Sequence, residues 1–148
     1  IAKGTVGYVF SPFNKFTTRV STETGFRIGQ KGPNSLDFFL GGYGNDFINN
    51  FIPFYGYDFI SISGDSYIKG MLELDYEIFR NNHIVASANF ANVENGLFST
   101  GNWLSSPDYS GYALGYGLET FFGPIEIKYS YSPEIKSNEW FFSVGFWF

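Results

Sequence analysis

The nine residues Trp140-Phe141-Phe142-Ser143-Val144-Gly145-Phe146-Trp147-Phe148 constrain this chain more than any other segment. Successive residues of a strand face opposite sides, so Trp140, Phe142, Val144, Phe146 and Phe148 form one wholly apolar face. Phe141, Ser143, Gly145 and Trp147 form the other. No polar residue follows Phe148. A soluble domain rarely presents such an end, because termini fray and exposed aromatics promote aggregation. The segment suits the closing strand of an outer-membrane β-barrel. Phe142, Val144, Gly145, Phe146 and Phe148 are then the C-terminal signal that barrel-assembly machinery reads.

The same alternation runs back through the chain. In 124–132, Ile125, Ile127, Tyr129 and Tyr131 oppose Glu126, Lys128, Ser130 and Ser132. In 110–121, Tyr112, Leu114, Tyr116 and Leu118 oppose Gly111, Ala113, Gly115, Gly117 and Glu119. In 83–93, Ile84, Ala86, Ala88 and Phe90 oppose Val85, Ser87 and Asn89. The sharpest contrast lies in 66–79, where Ile68, Leu72, Leu74, Tyr76 and Ile78 oppose Lys69, Glu73, Asp75 and Glu77. Upstream, 35–42 sets Leu36, Phe38 and Leu40 against Asp37. The stretch 16–30 keeps one phase, Phe16, Val20, Phe26 and Ile28 against Arg19, Glu23, Arg27 and Gly29, with Gly25 a candidate bulge. Finally 3–10 sets Val6, Tyr8 and Phe10 against Thr5, Gly7 and Val9. These eight strands predict an all-β, antiparallel transmembrane barrel over 1–148, either closed by itself or half of a larger barrel.

Taking the C-terminus as periplasmic sorts the connections into two sets. The internal set is 31–34, 80–82 and 122–123; the external set is 11–15, 43–65, 94–109 and 133–138. Short inner turns and long outer loops, the longest near 43–65 and 94–109, are the expected asymmetry. Tyr112, Tyr131 and Trp140 then sit near the outer strand ends, as an interfacial girdle. The 43–65 loop carries many aromatics and is expected to be ordered, with Phe54, Tyr55, Gly56 and Tyr57 folding into the lumen or over its mouth.

Composition narrows the alternatives. Aromatics make up 22% of the chain and charged residues only 16%, with 18 glycines. That profile disfavours helix. No apolar run of about 18 residues exists, so a transmembrane helix is excluded, while alternation hides a barrel's hydrophobicity in an average hydropathy. A net charge of −5 with no basic stripe excludes a nucleic-acid partner. The first residues, Ile1-Ala2-Lys3-Gly4, lack a signal-peptide core, so the expectation is a mature protein or part of a longer one. A soluble sandwich would have to bury the whole aromatic face, including many tyrosines that need hydrogen-bond partners.

Candidate chemistry is sparse. The inward charges Arg19, Arg27, Lys69, Glu73, Asp75, Glu77, Glu119, Glu126 and Lys128 are expected to pair across the lumen, because unpaired charge in a confined interior is costly. Glu73, Asp75 and Glu77 lie about 7 Å apart along one strand, too spread for a metal cage. Gly111, Gly115 and Gly117 thin one wall and leave room for a loop. His83, at a hairpin, would serve as a base only beside a serine and an orienting group. No Gly-x-Ser-x-Gly elbow is present. No catalytic residue, cofactor or metal is therefore expected.

Several runs carry a resemblance. They are Phe39-Leu40-Gly41-Gly42, Phe54-Tyr55-Gly56-Tyr57, Gly64-Asp65-Ser66 with Leu72-Glu73-Leu74-Asp75-Tyr76-Glu77, the stretch Tyr116–Tyr129 with its Gly123-Pro124 hairpin, and Phe142-Ser143-Val144-Gly145. Over about 35–148 these resemble the C-terminal half of the bacterial surface antigen superfamily, and the loop most resembles the branch fused to patatin-like phospholipases in Bacteroidetes-type bacteria. The resemblance implies a sixteen-stranded barrel in the Gram-negative outer membrane that anchors or places a phospholipase-type domain outside this chain. Outer-membrane lipid, barrel-assembly machinery and further barrel strands, from another segment or a second chain, would be its partners. The superfamily loop tip carries Arg-Gly-aromatic; here Tyr55-Gly56-Tyr57 stands in that place, without the charge-assisted pair an Arg offers. The alternatives are a free-standing eight-stranded barrel with an adhesive or structural role, and a barrel enzyme using His83.

Overall fold

The computed structural model describes residues 1–29, 37–44 and 48–145. In chain order its strands are β1 (Ala2–Phe13), β2 (Phe16–Phe26), β3 (Phe38–Leu40), β4 (Phe51–Ile52), β5 (Ile62–Gly64), β6 (Ser66–Phe79), β7 (Asn82–Glu94), β8 (Tyr109–Thr120), β9 (Gly123–Ser132) and β10 (Ser137–Val144). Seven of them form one antiparallel sheet in the order β1-β2-β6-β7-β8-β9-β10. The other three form a small sheet, with β3 parallel to β4 and antiparallel to β5. The all-β barrel class of the sequence reading holds, and the large sheet is not closed.

The strand count differs from the expected eight. The segment 35–42 is not a barrel strand: its described part supplies only β3, and β2 pairs directly with β6, Phe16 opposite Tyr76 through Phe26 opposite Ser66. The strand expected over 16–30 ends at Phe26. Gly25 keeps register with Lys3 and Tyr67, so it marks no bulge; the irregularity in β1–β2 falls between Phe10 and Phe13. The glycine is there for space, since a Cβ would stand 2.5 Å from the Tyr67 ring and 2.7 Å from Phe38. Residues 30–36, which include Leu36 and the expected turn 31–34, lie outside the described residues, as do Phe146 and Phe148 of the C-terminal signal.

Removing one strand shifts the parity upstream and corrects the sides of the connections. Connections 14–15, 80–81 and 121–122 share one end, and 27–65, 95–108 and 133–136 share the other. The β1–β2 connection therefore belongs with the short turns, not with the long loops. Lys15 and Asn81, the second residue of each turn, take positive φ (65° and 63°), and a register irregularity lies beside each turn in its preceding strand.

The apolar face of the large sheet is exposed along its whole width, from Tyr8 and Val20 through Leu72, Ile84 and Leu114 to Ile127 and Phe142. The opposite face is covered by the 27–65 insert. Phe38, Leu40, Ile52, Phe54, Tyr57 and Ile62 of the insert bury themselves on Tyr67 of β6 and Ala91 and Val93 of β7. Phe38 meets the Tyr67 ring edge-on at 4.8 Å. The main core thus lies between sheet and insert, and β1, beyond its reach, stays exposed on both faces. The 95–108 connection is ordered too. It holds α1 (Leu97–Thr100), whose Leu97 is fully buried, and the Asn92 side chain takes up carbonyls of Asn102 and Ser105.

Candidate functional site

The site is the contact between the insert tip and the sheet's polar face. Tyr55-Gly56-Tyr57 lies across β8 and β9. Tyr55 N–H donates to Asn89 Oδ1 at 2.8 Å, and a Cβ at Gly111 would collide with the Tyr55 carbonyl oxygen. Gly56, at φ +79°, rides on the β9 backbone: a Cβ there would lie 2.6 Å from Ser132 N. Glycine is needed twice, once for conformation and once for approach. Gly115 opens the space that the Lys128 stem fills, with a would-be Cβ 2.6 Å from Lys128 Cγ. The thin wall expected from the glycine series is where the loop lies at Gly111; Gly117 faces more open space, its nearest neighbour His83 Cβ at 3.8 Å.

Lys128 is the centre of the contact. It is only 4% exposed, and its ammonium meets Glu126 at 2.6 Å, the Tyr43 hydroxyl at 2.8 Å and the Tyr55 hydroxyl at 3.4 Å. It also stands 4.4 Å from the Tyr43 ring centroid. Tyr43 stacks on Tyr55 at 5.2 Å and packs edge-on against Phe141 of β10 at 4.4 Å. A cation on the wall thus faces aromatic acceptors on the loop, the reverse of a loop-borne Arg facing a wall carboxylate. Cation–π and hydroxyl contacts strengthen with desolvation, which this burial supplies.

A second clasp lies near the end of β9. Glu134, in the 133–136 turn, accepts from Tyr57 Oη at 3.2 Å, Ser110 Oγ at 2.5 Å and Ser132 Oγ at 2.9 Å. Burial raises its pKa, but the hydrogen bonds from Ser110 and Ser132 outweigh it and hold the carboxyl below its ordinary value. Burial pushes the Tyr57 phenol up.

Among the described residues the inward charges pair chiefly with groups on the same or the adjacent strand. Arg19 pairs with Glu73, whose other oxygen accepts from Ser87 at 3.4 Å. Lys69 donates to the Pro53 carbonyl at 2.7 Å and lies 3.8 Å from Glu23, which also holds Lys3 at 2.7 Å. Arg27 reaches Asp65 at 2.6 Å and Asp37 at 3.3 Å. Asp75 contacts His83 Nδ1 at 2.8 Å, Glu119 lies 3.8 Å from His83 Nε2, and Glu77 accepts from Asn81 N–H at 3.1 Å. Of the cations offered to the Glu73–Asp75–Glu77 row, Arg19 alone reaches it among the described residues. No group of three or more metal-ligating side chains forms among them. His83 stands between carboxylates, and no serine bonds it in the described contacts.

Sequence reasoning missed Tyr43, Asn89 as a cap for the loop, and Glu134. Tyr43 and Glu134 lie in connections, where period-2 alternation carries no signal. Asn89 was placed on the right face, but its partner is a loop amide that no pattern specifies.

A protein-family model described as the OMP85 superfamily matches residues 1–148. The chain belongs to the OMP85 superfamily, whose members are outer-membrane β-barrels of Gram-negative bacteria. No curated relative matches it.

Proposed function

We propose that this OMP85-superfamily chain supplies seven strands and a lumen-filling insert to a larger outer-membrane barrel that anchors a patatin-like phospholipase-type domain. The observation that carries the shared-barrel reading is the odd number of strands that the large sheet has among the described residues, with β1 and β10 open at its edges. In an antiparallel meander of seven, the first and last strands run the same way, so β1 and β10 cannot close on each other antiparallel. Unpaired N–H and C=O groups facing hydrocarbon cost several kcal/mol each, so both edges need neighbouring strands. Further strands of a sixteen-stranded barrel meet that need. The patatin link is supported by the residues of the 43–65 loop alone. This chain's own role is then mechanical, with the polar face serving the insert and no residue serving a reaction.

Two measurements on the full-length protein in lipid test the reading. A Tyr8→Cys/Phe142→Cys pair, placed on the outward faces of β1 and β10, is expected to stay reduced under oxidant; a cross-link within one chain overturns the shared barrel in favour of a free-standing one. A phospholipase partner domain requires a Gly-x-Ser-x-Gly elbow in the same polypeptide or a bound one, and lipid hydrolysis abolished by its Ser→Ala. Hydrolysis that persists there and falls with His83→Ala overturns the anchoring role.

A further inference from the structure

At the long-loop end, the outer one in these barrels, three segments meet around a cavity of about 270 Å³. Phe26 and Arg27 come from the end of β2, Asp65 and Ser66 from the start of β6, and Phe98 and Ser99 from α1. Polar contacts fix this frame. Asp65 Oδ1 accepts from Gly96 N–H and from Ser66 Oγ, each at 2.8 Å, and Ser66 Oγ accepts from Leu97 N–H at 3.0 Å. Arg27 N–H donates to the Asp65 carbonyl at 3.1 Å. Gly29 and Gly96 take positive φ (93° and 73°), and a Cβ at either would meet nothing within 4 Å, so the wall stays low beside them.

The frame leaves polar capacity unspent. A guanidinium carries five N–H donors. Asp65 and Asp37 take two of those on Arg27, at 2.6 and 3.3 Å, and it has no other side-chain partner among the described residues. Ser99 Oγ makes no hydrogen bond among them. On the apolar side Phe26 and Phe98 meet edge-on at 5.8 Å and stay 41% and 39% exposed, with Trp103 6.2 Å beyond Phe98.

These features select among occupants. An apolar molecule would strip water from the remaining N–H donors and return no acceptor. An anion would find the one cation among the described lining residues already shared between two carboxylates. A neutral sugar ring meets both halves of the wall: its hydroxyls accept from Arg27 and exchange hydrogen bonds with Ser99, while its C–H face lies on Phe26 and Phe98. The volume falls just below the roughly 300–1,000 Å³ of sites for drug-sized ligands, so it suits a single ring. We propose that this cavity binds one neutral pyranose residue, presented from outside the cell.

The full-length protein in phosphatidylcholine nanodiscs tests it. In saturation-transfer NMR, methyl glucopyranoside is expected to receive saturation, strongest at its ring C–H protons, and glucuronate markedly less. Ser99→Trp, which fills the cavity from an exposed position, is expected to abolish the transfer. Phe98→Leu is expected to weaken binding roughly five-fold. Heat-dependent gel mobility confirms that both variants are folded, and the contrast between glucoside and glucuronate on the unaltered protein stands without either. A second arm uses native mass spectrometry from nanodiscs containing glucosyl diacylglycerol. Binding of the free glycoside supports the site with a soluble glycan as its source. Retention of the glycolipid over phosphatidylcholine, without binding of the free glycoside and lost in Ser99→Trp, supports it with a membrane source. Binding in neither arm, binding unchanged in both variants, or glucuronate equal to the glucoside overturns the proposal.

Discussion

β9 and β1 have the same alternating pattern and opposite fates. On β9 the inward residues Lys128, Ser130 and Ser132 are buried under the insert; on β1 the inward Lys3, Thr5 and Gly7 stay open. Both strands have their outward face bare. The difference comes from the insert, which reaches across β6 to β9 and leaves β1 to be covered by something else. A strand's period tells which side chains share a face, and only a third element tells what that face costs to disturb.

The largest effect is expected where a charge is locked under the insert. Lys128→Met leaves the half-buried Glu126 without its cation and removes the centre of the tyrosine stack, so about 3 kcal/mol of folding stability, the low end for a buried pair, should be lost. Lys3→Met on β1, partnered with the same kind of carboxylate but 38% exposed in its side chain, should cost at most about 1 kcal/mol. Denaturant titration of the refolded protein in lipid measures both, and equal losses would break the contrast.

Glycines sharpen it further. At Gly111 an added methyl meets the Tyr55 carbonyl, whereas at Gly4 it meets nothing within 4 Å. Gly111→Ala should cost about 1–3 kcal/mol and loosen the loop, while Gly4→Ala stays within about 0.5 kcal/mol. Limited proteolysis within 48–62 reads the loosening directly. Cleavage there should accelerate in Gly111→Ala and remain at the parent rate in Gly4→Ala.

The smallest effect is a pH dependence at Glu134. Its folded pKa is lowered, so its contribution is fully present above the ordinary carboxyl pKa and is lost as pH falls through the lowered folded value. The Tyr57 clasp should therefore hold at neutral pH and slip only in acid, below the ordinary carboxyl range. Glu134→Gln should remove that acid step from the proteolysis profile. A step that survives the substitution would place the titrating group elsewhere.

Much of this was legible beforehand. The faces of β6, β8 and β9 read directly from Leu72-Glu73-Leu74-Asp75, Tyr112-Ala113-Leu114-Gly115 and Ile125-Glu126-Ile127-Lys128, because an amphipathic sheet repeats its logic every two residues. The segment 35–42 misled for the same reason: Phe38 and Leu40 alternate with Asp37 and Phe39 as a barrel strand would. Three residues of alternation cannot show whether the neighbour is the large sheet or β4 and β5. That error moved the β1–β2 connection to the wrong end. The partners of the inward charges were also beyond reach, since register decides that Arg19 lies opposite Glu73 and that Lys69 sits near Glu23.

By itself the amino-acid order determined which side of each strand is greasy and which is polar, and with that an outer-membrane barrel. It did so because side-chain direction in a strand is local and obligatory. Tertiary structure alone decided that, among the described residues, seven strands and not eight share the sheet, that the insert plugs its polar face, and that Lys128 of the wall meets Tyr43 and Tyr55. Those facts rest on contacts between segments far apart in the chain. Pairing of that kind is chosen by register and close packing, which no short window of residues records.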